Sequence, residues 1–390
     1  MKVFAFLTAF ICTFALMSFA APAVEPADPP PMYSPERELE EVNAASAAVY
    51  EVGSRSYIYT ANSSEQRPIG HLAKLMVYLI AAEKIEAGEL SFSDTATVSA
   101  KANSMQGAQI WLDTGEVITV DELMRSIAVG NANDACVALA ERVAGSEEAF
   151  VDMMNSEASR LGMKNTVFKD SAGLDPGTVS TAADMALLVT DLCRHPDSLD
   201  PFTVWMDEVR GGKAQLVSLN TLIHRCKGLI GFKIGTLEHS GECAAEAVRR
   251  GERIICSVIL GADSEADIAA EAEQLMNKAL TDTVLFTPDF PEEAAGPLKT
   301  VHGQAHECSL EHGEIQGITL RTEDKESVTA RVTLSAKLEA PVRKGEVVGS
   351  VSYYVGERFA FSVKIFTGES IAPVTFGYVF KKIWLNLLKC

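Results

Sequence analysis

Pro68-Ile69-Gly70-His71-Leu72-Ala73-Lys74-Leu75-Met76 opens a run of apolar residues that continues to Ala82. Pro68 suits the first turn of a helix and Gly88 its end, and Leu72, Leu75, Met76, Leu79 and Ile80 leave few polar positions between them. The stretch predicts a buried helix. Lys74 falls one turn after His71, on the same face and near the N-terminus, where backbone N–H groups point outward. An ammonium on such a helix either snorkels to water or is kept because something uses it. The rest of the chain decides between the two.

Outward from that helix, the flanks are strands. Ala47-Ala48-Val49-Tyr50-Glu51-Val52, a turn at Gly53-Ser54 and Tyr57-Ile58-Tyr59 read as a β-hairpin just upstream. Downstream, Thr119-Val120-Asp121-Glu122 is a capping box before a helix carrying Leu123, Met124 and Ile127; Gly130-Asn131 breaks it, and a second helix runs from Asn133 to Val143. Ser146 to Leu161, closed by Gly162, is a third, and Ser180-Thr181 caps a fourth. From Phe232 strands return: Phe232 to Thr236, Ala244 to Val248 and Ile254 to Leu260, followed by a helix from Glu265 to Leu280. Strands on both sides of a helical middle imply an α+β domain, an antiparallel sheet with helices packed on it, over residues 45–285.

Beyond Pro288 and Pro291 the pattern changes to short alternating segments, such as Val328 to Leu334 and Val351 to Val355, which predict a small all-β domain over 295–368. The last stretch, 370–390, differs again. Phe376, Phe380, Ile383, Trp384, Leu387 and Leu388 recur at helical spacing with Lys381, Lys382, Asn386 and Lys389 mostly opposite. Such a basic amphipathic helix either lies in a membrane interface or docks its apolar face on the β domain. At the other end, residues 1–23 have the apolar run and small-residue finish of a secretory signal peptide, and 24–44, with Pro29-Pro30-Pro31, read as a Pro/Ala/Glu-rich tether.

The formal net charge of −19 over 390 residues argues against a nucleic-acid partner, which would require a basic face. Past residue 23 seven cysteines remain, an odd and scattered set that does not make a disulfide framework. There is no C-x-x-C, and His302, His306 and His312 lack partners at ligand spacing, so they read as a solvated loop and neither a metal nor a cofactor is implied.

Lys74 on the buried helix, Asn131-Ala132-Asn133 at a helix break, and Lys233-Ile234-Gly235-Thr236 on a strand followed by Gly241 occur in one order. In this the chain resembles the penicillin-binding serine D-alanyl-D-alanine carboxypeptidases, which carry S-x-x-K, S-x-N and K-T-G in those places. Val137-Ala138-Leu139-Ala140-Glu141, Ala172-Gly173-Leu174-Asp175 leading into Ser180-Thr181, and Leu338-Glu339-Ala340-Pro341-Val342 with Lys344-Gly345 extend the likeness over nearly the whole mature chain. The resemblance implies a β-lactamase/transpeptidase-like domain, a β domain and an amphipathic tail that anchors the enzyme to the outer membrane face. It also implies export and a substrate of peptidoglycan stem peptides ending in D-Ala-D-Ala.

The departures from the family pattern fall on the chemistry. The serine that attacks the carbonyl, and whose proton the lysine takes, stands at His71; the second-motif serine stands at Asn131; the threonine of the third motif is Ile234. In a serine protease, losing the nucleophile alone costs on the order of a million-fold in turnover. Binding groups survive: Asn133 for a peptide amide, Lys233 and Thr236 for a terminal carboxylate, and Gly235 on the strand. The expectation is therefore a family member that binds stem peptides or a cell-wall enzyme without cleaving. The alternative is a hydrolase with a relocated nucleophile, for which Ser63, Ser64 and Cys136 come into question; each has a blander reading, as hairpin-turn serines and as a small core residue.

Overall fold

The computed structural model describes residues 32–263 and 267–388. The stretch read as a signal peptide, the first residues of the one read as a tether, Glu265, Lys389 and Cys390 lie outside them. In chain order the first domain contains β1 (Arg37–Glu38), β2 (Ala44–Glu51), β3 (Ser56–Ala61), β4 (Arg67–Pro68), α1 (Lys74–Glu86), β5 (Thr95–Thr97), α2 (Ala100–Asn103), β6 (Val117–Thr119), α3 (Val120–Ala128), α4 (Asn133–Ala144) and α5 (Glu147–Leu161). It continues with β7 (Val179–Ser180), α6 (Ala182–Leu192), the hairpin β8 (Met206–Val209) and β9 (Ala214–Val217), then β10 (Leu229–Leu237), β11 (Gly241–Arg250), β12 (Arg253–Ala262) and α7 (Ile268–Asp282).

Six strands form one sheet in the order β1-β3-β2-β12-β11-β10, antiparallel throughout except for the β1–β3 pair. The two-residue side-chain period divides each central strand between two cores. Ala48, Tyr50, Cys256, Val258 and Leu260 face the helices α1 to α6, whereas Val49, Ile255 and Ile259 face α7. Closing the sheet requires β2 to pair with β12 across some two hundred residues, so the helical middle is an insertion between strands that lie side by side. β10 is left at the edge, and that edge borders the lead-in to α1.

α1 is buried on every side from Leu75 to Ala82, as a helix without a polar face must be. Its start differs from the expectation. Pro68 lies in β4, paired antiparallel with β7, and the helix is entered through a 3₁₀ turn over Gly70–Ala73 with Gly70 at φ +50°. Proline's fixed φ serves an isolated strand end as readily as a first helical turn. The later caps match the reading: Thr119 and Glu122 form the capping box, Ser146 accepts from Ala149 N–H, and Thr181 accepts from Asp184 N–H.

In the second unit, the strands Leu310–His312, Arg358–Thr367, Val347–Val355 and Val328–Leu334 make a four-stranded antiparallel sheet around Val351, Tyr353, Val363 and Ile365. His312 belongs to its edge strand and stacks on Phe290 at 4.1 Å, so it is not a loop residue; an aromatic partner gives the imidazole a structural place. Arg321, 2 % exposed, ties the units together by donating to the carbonyls of Pro35 and Ile58 and to the Tyr59 hydroxyl. Residues 32–38, within the stretch read as a tether, cross both units: Tyr33 N–H donates to Phe359 O and Arg37–Glu38 add to β3. Backbone groups that pair on both sides make this part a strap.

The C-terminal helix Phe376–Leu387 has no buried residue. Phe376, Phe380, Ile383, Trp384, Leu387 and Leu388 are all exposed, so its apolar face is not docked on the β domain. No described helix is long and apolar enough to cross a membrane.

Candidate active site

Three corners meet at the edge of β10. The first is the 3₁₀ turn, in which residues three apart eclipse, so that His71 and Lys74 stack. Lys74 Nζ lies 2.8 Å from His71 Nδ1 and 2.8 Å from the Ala172 carbonyl oxygen, and the side chain is fully buried. Burial lowers the Lys74 pKa to about 8. The imidazole is pushed further, down to about 2, by burial and by the charges of Lys74, Lys233 and His239, so it is neutral at any ordinary pH. A lysine still protonated at neutral pH can only donate, which makes Nδ1 the acceptor and places the ring hydrogen on Nε2. That tautomer has no free lone pair with which to attack a carbonyl.

The ring also fills space. A Cβ built on Gly235 would lie 2.8 Å from His71 Cδ2 and 2.9 Å from His71 Cβ, so β10 touches the imidazole through a bare glycine. Behind the turn, a Cβ on Gly173 would fall 1.8 Å from the Gly70 carbonyl oxygen. The segment Ala172-Gly173 is thus pressed onto the turn and supplies the carbonyl that holds Lys74.

The second corner is the break between α3 and α4. Asn131 sits at φ +57°, a conformation asparagine tolerates better than most residues, and its side-chain oxygen is buried with no partner in the protein. Asn133 is wholly buried; its Nδ2 donates to Gln106 O at 2.6 Å while its Oδ1 also lacks a partner. Two buried, unsatisfied acceptors in one corner are costly unless a donor arrives. The third corner is β10 itself. Lys233 turns toward the C-terminus of α3, where it donates to the carbonyls of Ile127 at 2.6 Å and Ala128 at 3.4 Å. A helix leaves its last carbonyls free and favours a cation there. Burial and the charge of Lys74 lower Lys233 to about 7.

The structure thus brings His71, Lys74, Lys233 and Gly235 around one point, with Asn131 and Asn133 at its side. Thr236, by contrast, is exposed, and Ile234 turns to the α7 face and packs with its core, away from His71. The cavity left among Asn131, Leu219, Asn220, Lys233 and Ile234 is about 10 Å³, room for about one water molecule. The relocated nucleophiles find no support. Ser63 and Ser64 lie in the turn after β3, and Cys136 is fully buried with its thiol pushed up to about 12, far from a thiolate.

Sequence reasoning passed over three residues. Asp134, fully buried, accepts from the N–H groups of Ile110 and Leu112; its signal was an acid in the first turn of α4. Arg210 donates to the carbonyls of Ile110 and Trp111 from a distant loop, and nothing local announces it. Glu246, buried on β11, accepts from Asn220 and is pushed up to about 8 by burial. Among the described residues, Glu83, Asp191 and His195 are grouped closely enough to hold a metal ion, but the Arg160 guanidinium already lies between Glu83 and Asp191 at 2.6 and 2.8 Å.

A lysine in the first turns of a buried helix, an asparagine at a helix break and a lysine on the facing edge strand, set on an antiparallel sheet with packed helices, define an α+β transpeptidase-like fold. Comparison with known proteins identifies the lineage. Residues 32–264 match the D-alanyl-D-alanine carboxypeptidase family model, and residues 303–372 match the C-terminal domain of penicillin-binding protein 5. The chain is 31% identical over 314 residues to D-alanyl-D-alanine carboxypeptidase DacF of Bacillus subtilis, covering 79% of this chain and 80% of the relative. With DacC of Escherichia coli it is 27% identical over 367 residues, 91% of this chain and 90% of the relative. In fold it resembles penicillin-binding protein 5 from Haemophilus influenzae, with a TM-score of 0.75 at 22% identity over 86% of this chain and 99% of that one. The chain belongs to the D-alanyl-D-alanine carboxypeptidase family.

Proposed function

We propose that this chain is a non-cleaving member of that family that acts in peptidoglycan metabolism by holding stem peptides ending in D-Ala-D-Ala. The observation that carries the reading is the His71–Lys74 contact. The group at the nucleophile position is a neutral imidazole whose Nδ1 takes a hydrogen bond from the lysine that would otherwise serve as base, and whose ring is packed on Gly235. In the family that lysine removes a proton from the attacking hydroxyl; here it is spent on His71 and Ala172.

Binding has separate support. The unpartnered Oδ1 atoms of Asn131 and Asn133 suit the N–H groups of a peptide, and Thr236, exposed at the edge of β10, offers a hydroxyl to a carboxylate. The exposed apolar face of the C-terminal helix suits the surface of a membrane, and with the signal peptide read at residues 1–23 that surface is the outer one, at the cell wall. A second role, recruiting a cell-wall enzyme, is favoured by the cross-strand pair Met206–Val217 with Leu219, all exposed beside the second corner.

The test is calorimetric titration with a soluble pentapeptide ending in D-Ala-D-Ala, with free D-alanine measured in the same samples. The expected result is saturable binding without D-alanine release, weakened about tenfold in Asn133→Ala by loss of a buried hydrogen bond. Release of D-alanine, or no binding at all, would contradict the proposal.

A further inference from the structure

Trp111 is 66 % exposed, and its backbone is held at φ +56°. A bulky side chain in the left-handed region is strained and persists only where its surroundings impose it. Here they do so from both sides. The buried Asp134 carboxylate accepts from Ile110 N–H and Leu112 N–H at 3.1 Å, on either side of the tryptophan. The Arg210 guanidinium donates to the carbonyls of Ile110 and Trp111 at 2.8 Å each, and is itself held by Glu116 and Asp113. Four backbone groups of three consecutive residues are thus pinned by two charged side chains, and what the pinned turn presents to solvent is an indole.

The same loop is built into the site. Asn133 N–H donates to Ala108 O at 2.7 Å and Asn133 Nδ2 to Gln106 O, so Trp111 stands three residues from a backbone group bonded to the second corner, at most about 11 Å along the chain. Its sequence neighbours are not an apolar patch: Gln106, Asp113 and Thr114 are exposed and Gln109 is half-buried. A flat aromatic face among hydrogen-bonding side chains matches a pyranose ring, whose C–H bonds pack on the electron-rich face while its hydroxyls meet the polar groups.

Resting on the peptidoglycan reading above, we propose that Trp111 is a stacking platform for a sugar ring of the glycan strand, so that this chain grips its polymer by the saccharide as well as by the stem peptide. The strain at residue 111 is kept because the indole is used; glycine would relieve it.

The experiment compares three probes: intact peptidoglycan sacculi, glycan chains stripped enzymatically of their stem peptides, and the soluble pentapeptide. The native protein is expected to be retained by the first two and to bind the third. Trp111→Ala should lose about tenfold in affinity for stripped glycan, the size of an aromatic stacking contact, while pentapeptide affinity stays within about twofold. Trp111→Phe should retain most of the glycan affinity. Trp111→Gly should lose it while raising the melting temperature, an outcome a misfolded variant would not give. Absence of native binding to stripped glycan, or retention of Trp111→Ala equal to the native, overturns the proposal. If pentapeptide and sacculi still bind, only this inference falls; if the native protein binds none of the three, the peptidoglycan reading falls with it.

Discussion

The first and second corners of the site are built in opposite ways. At the first, His71 closes upon its surroundings: Nδ1 meets Lys74, the ring meets Gly235, and Lys74 has both His71 and Ala172 as partners. At the second, Asn131 and Asn133 each keep a buried oxygen without a partner. One corner is satisfied from within and the other waits for a donor. On the non-cleaving reading proposed above, a change at the attacking group need not remove the binding groups, because His71 and the pair Asn131 and Asn133 sit on different elements, the 3₁₀ turn and the α3–α4 break.

The comparison can be tested hardest at the nucleophile. On the non-cleaving reading, His71→Ser should raise acylation by a fluorescent penicillin to at least about a hundredfold above the native rate, part of the million-fold that a nucleophile supplies in a serine protease, since Lys74 would then have a hydroxyl partner. Intact mass after timed incubation reads it. An adduct on neither protein would mean that the second corner is closed as well.

Next in size is the support of the first corner. Gly173→Ala drives a methyl into the Gly70 carbonyl, 1.8 Å away, in a residue at φ +76°, and should cost more than about 4 kcal/mol, measured by urea unfolding. Stability within about 1 kcal/mol of the native would show that the turn moves freely and is not a fixed corner.

Gly235→Ala should cost about 1–3 kcal/mol by overpacking against the imidazole, and much less in a His71→Ser background. A double-mutant cycle isolates that coupling, and additive costs would show that His71 does not fill the space against β10.

The smallest effect concerns Glu246. Its carboxyl holds a proton up to about pH 8 in the folded state and only to about 4.5 when unfolded, so the folded chain binds the extra proton between these values and loses stability as pH rises through them. Lys233 acts with the opposite sign above about pH 7, where the folded state gives up a proton that the unfolded chain keeps. Glu246→Gln should flatten the fall between pH 4.5 and 8 and stabilise the protein by about 1–2 kcal/mol at pH 8, seen in melting curves across that range. An unchanged slope would assign the titration elsewhere.

Much of the fold could be read locally. The hairpin of β2 and β3 is a signal within one short continuous stretch, and the capping box at Thr119 and the caps at Ser146 and Thr181 are each contained within a few residues. The β2–β12 pairing that makes the helical middle an insertion was visible only as strands at both ends. In the site, Lys74 stood out because a charge on a buried helix has to be explained, and Lys233 because Lys233-Ile234-Gly235-Thr236 on a strand resembles the family's third motif. The partners that hold them did not, for the carbonyls of Ala172 and Ile127 carry no mark in a sequence. Pro68 misled for a related reason: its fixed φ fits a helix start and a strand end equally, and only pairing with Val179 chooses. Arg210 was illegible because its bonds span about a hundred residues.

The most direct test of the central claim is intact mass of the native protein after incubation with a fluorescent penicillin. The His71–Lys74 geometry predicts no covalent adduct. A stoichiometric adduct on the native chain, with its site mapped by peptide analysis, would contradict the claim and name the group that attacks.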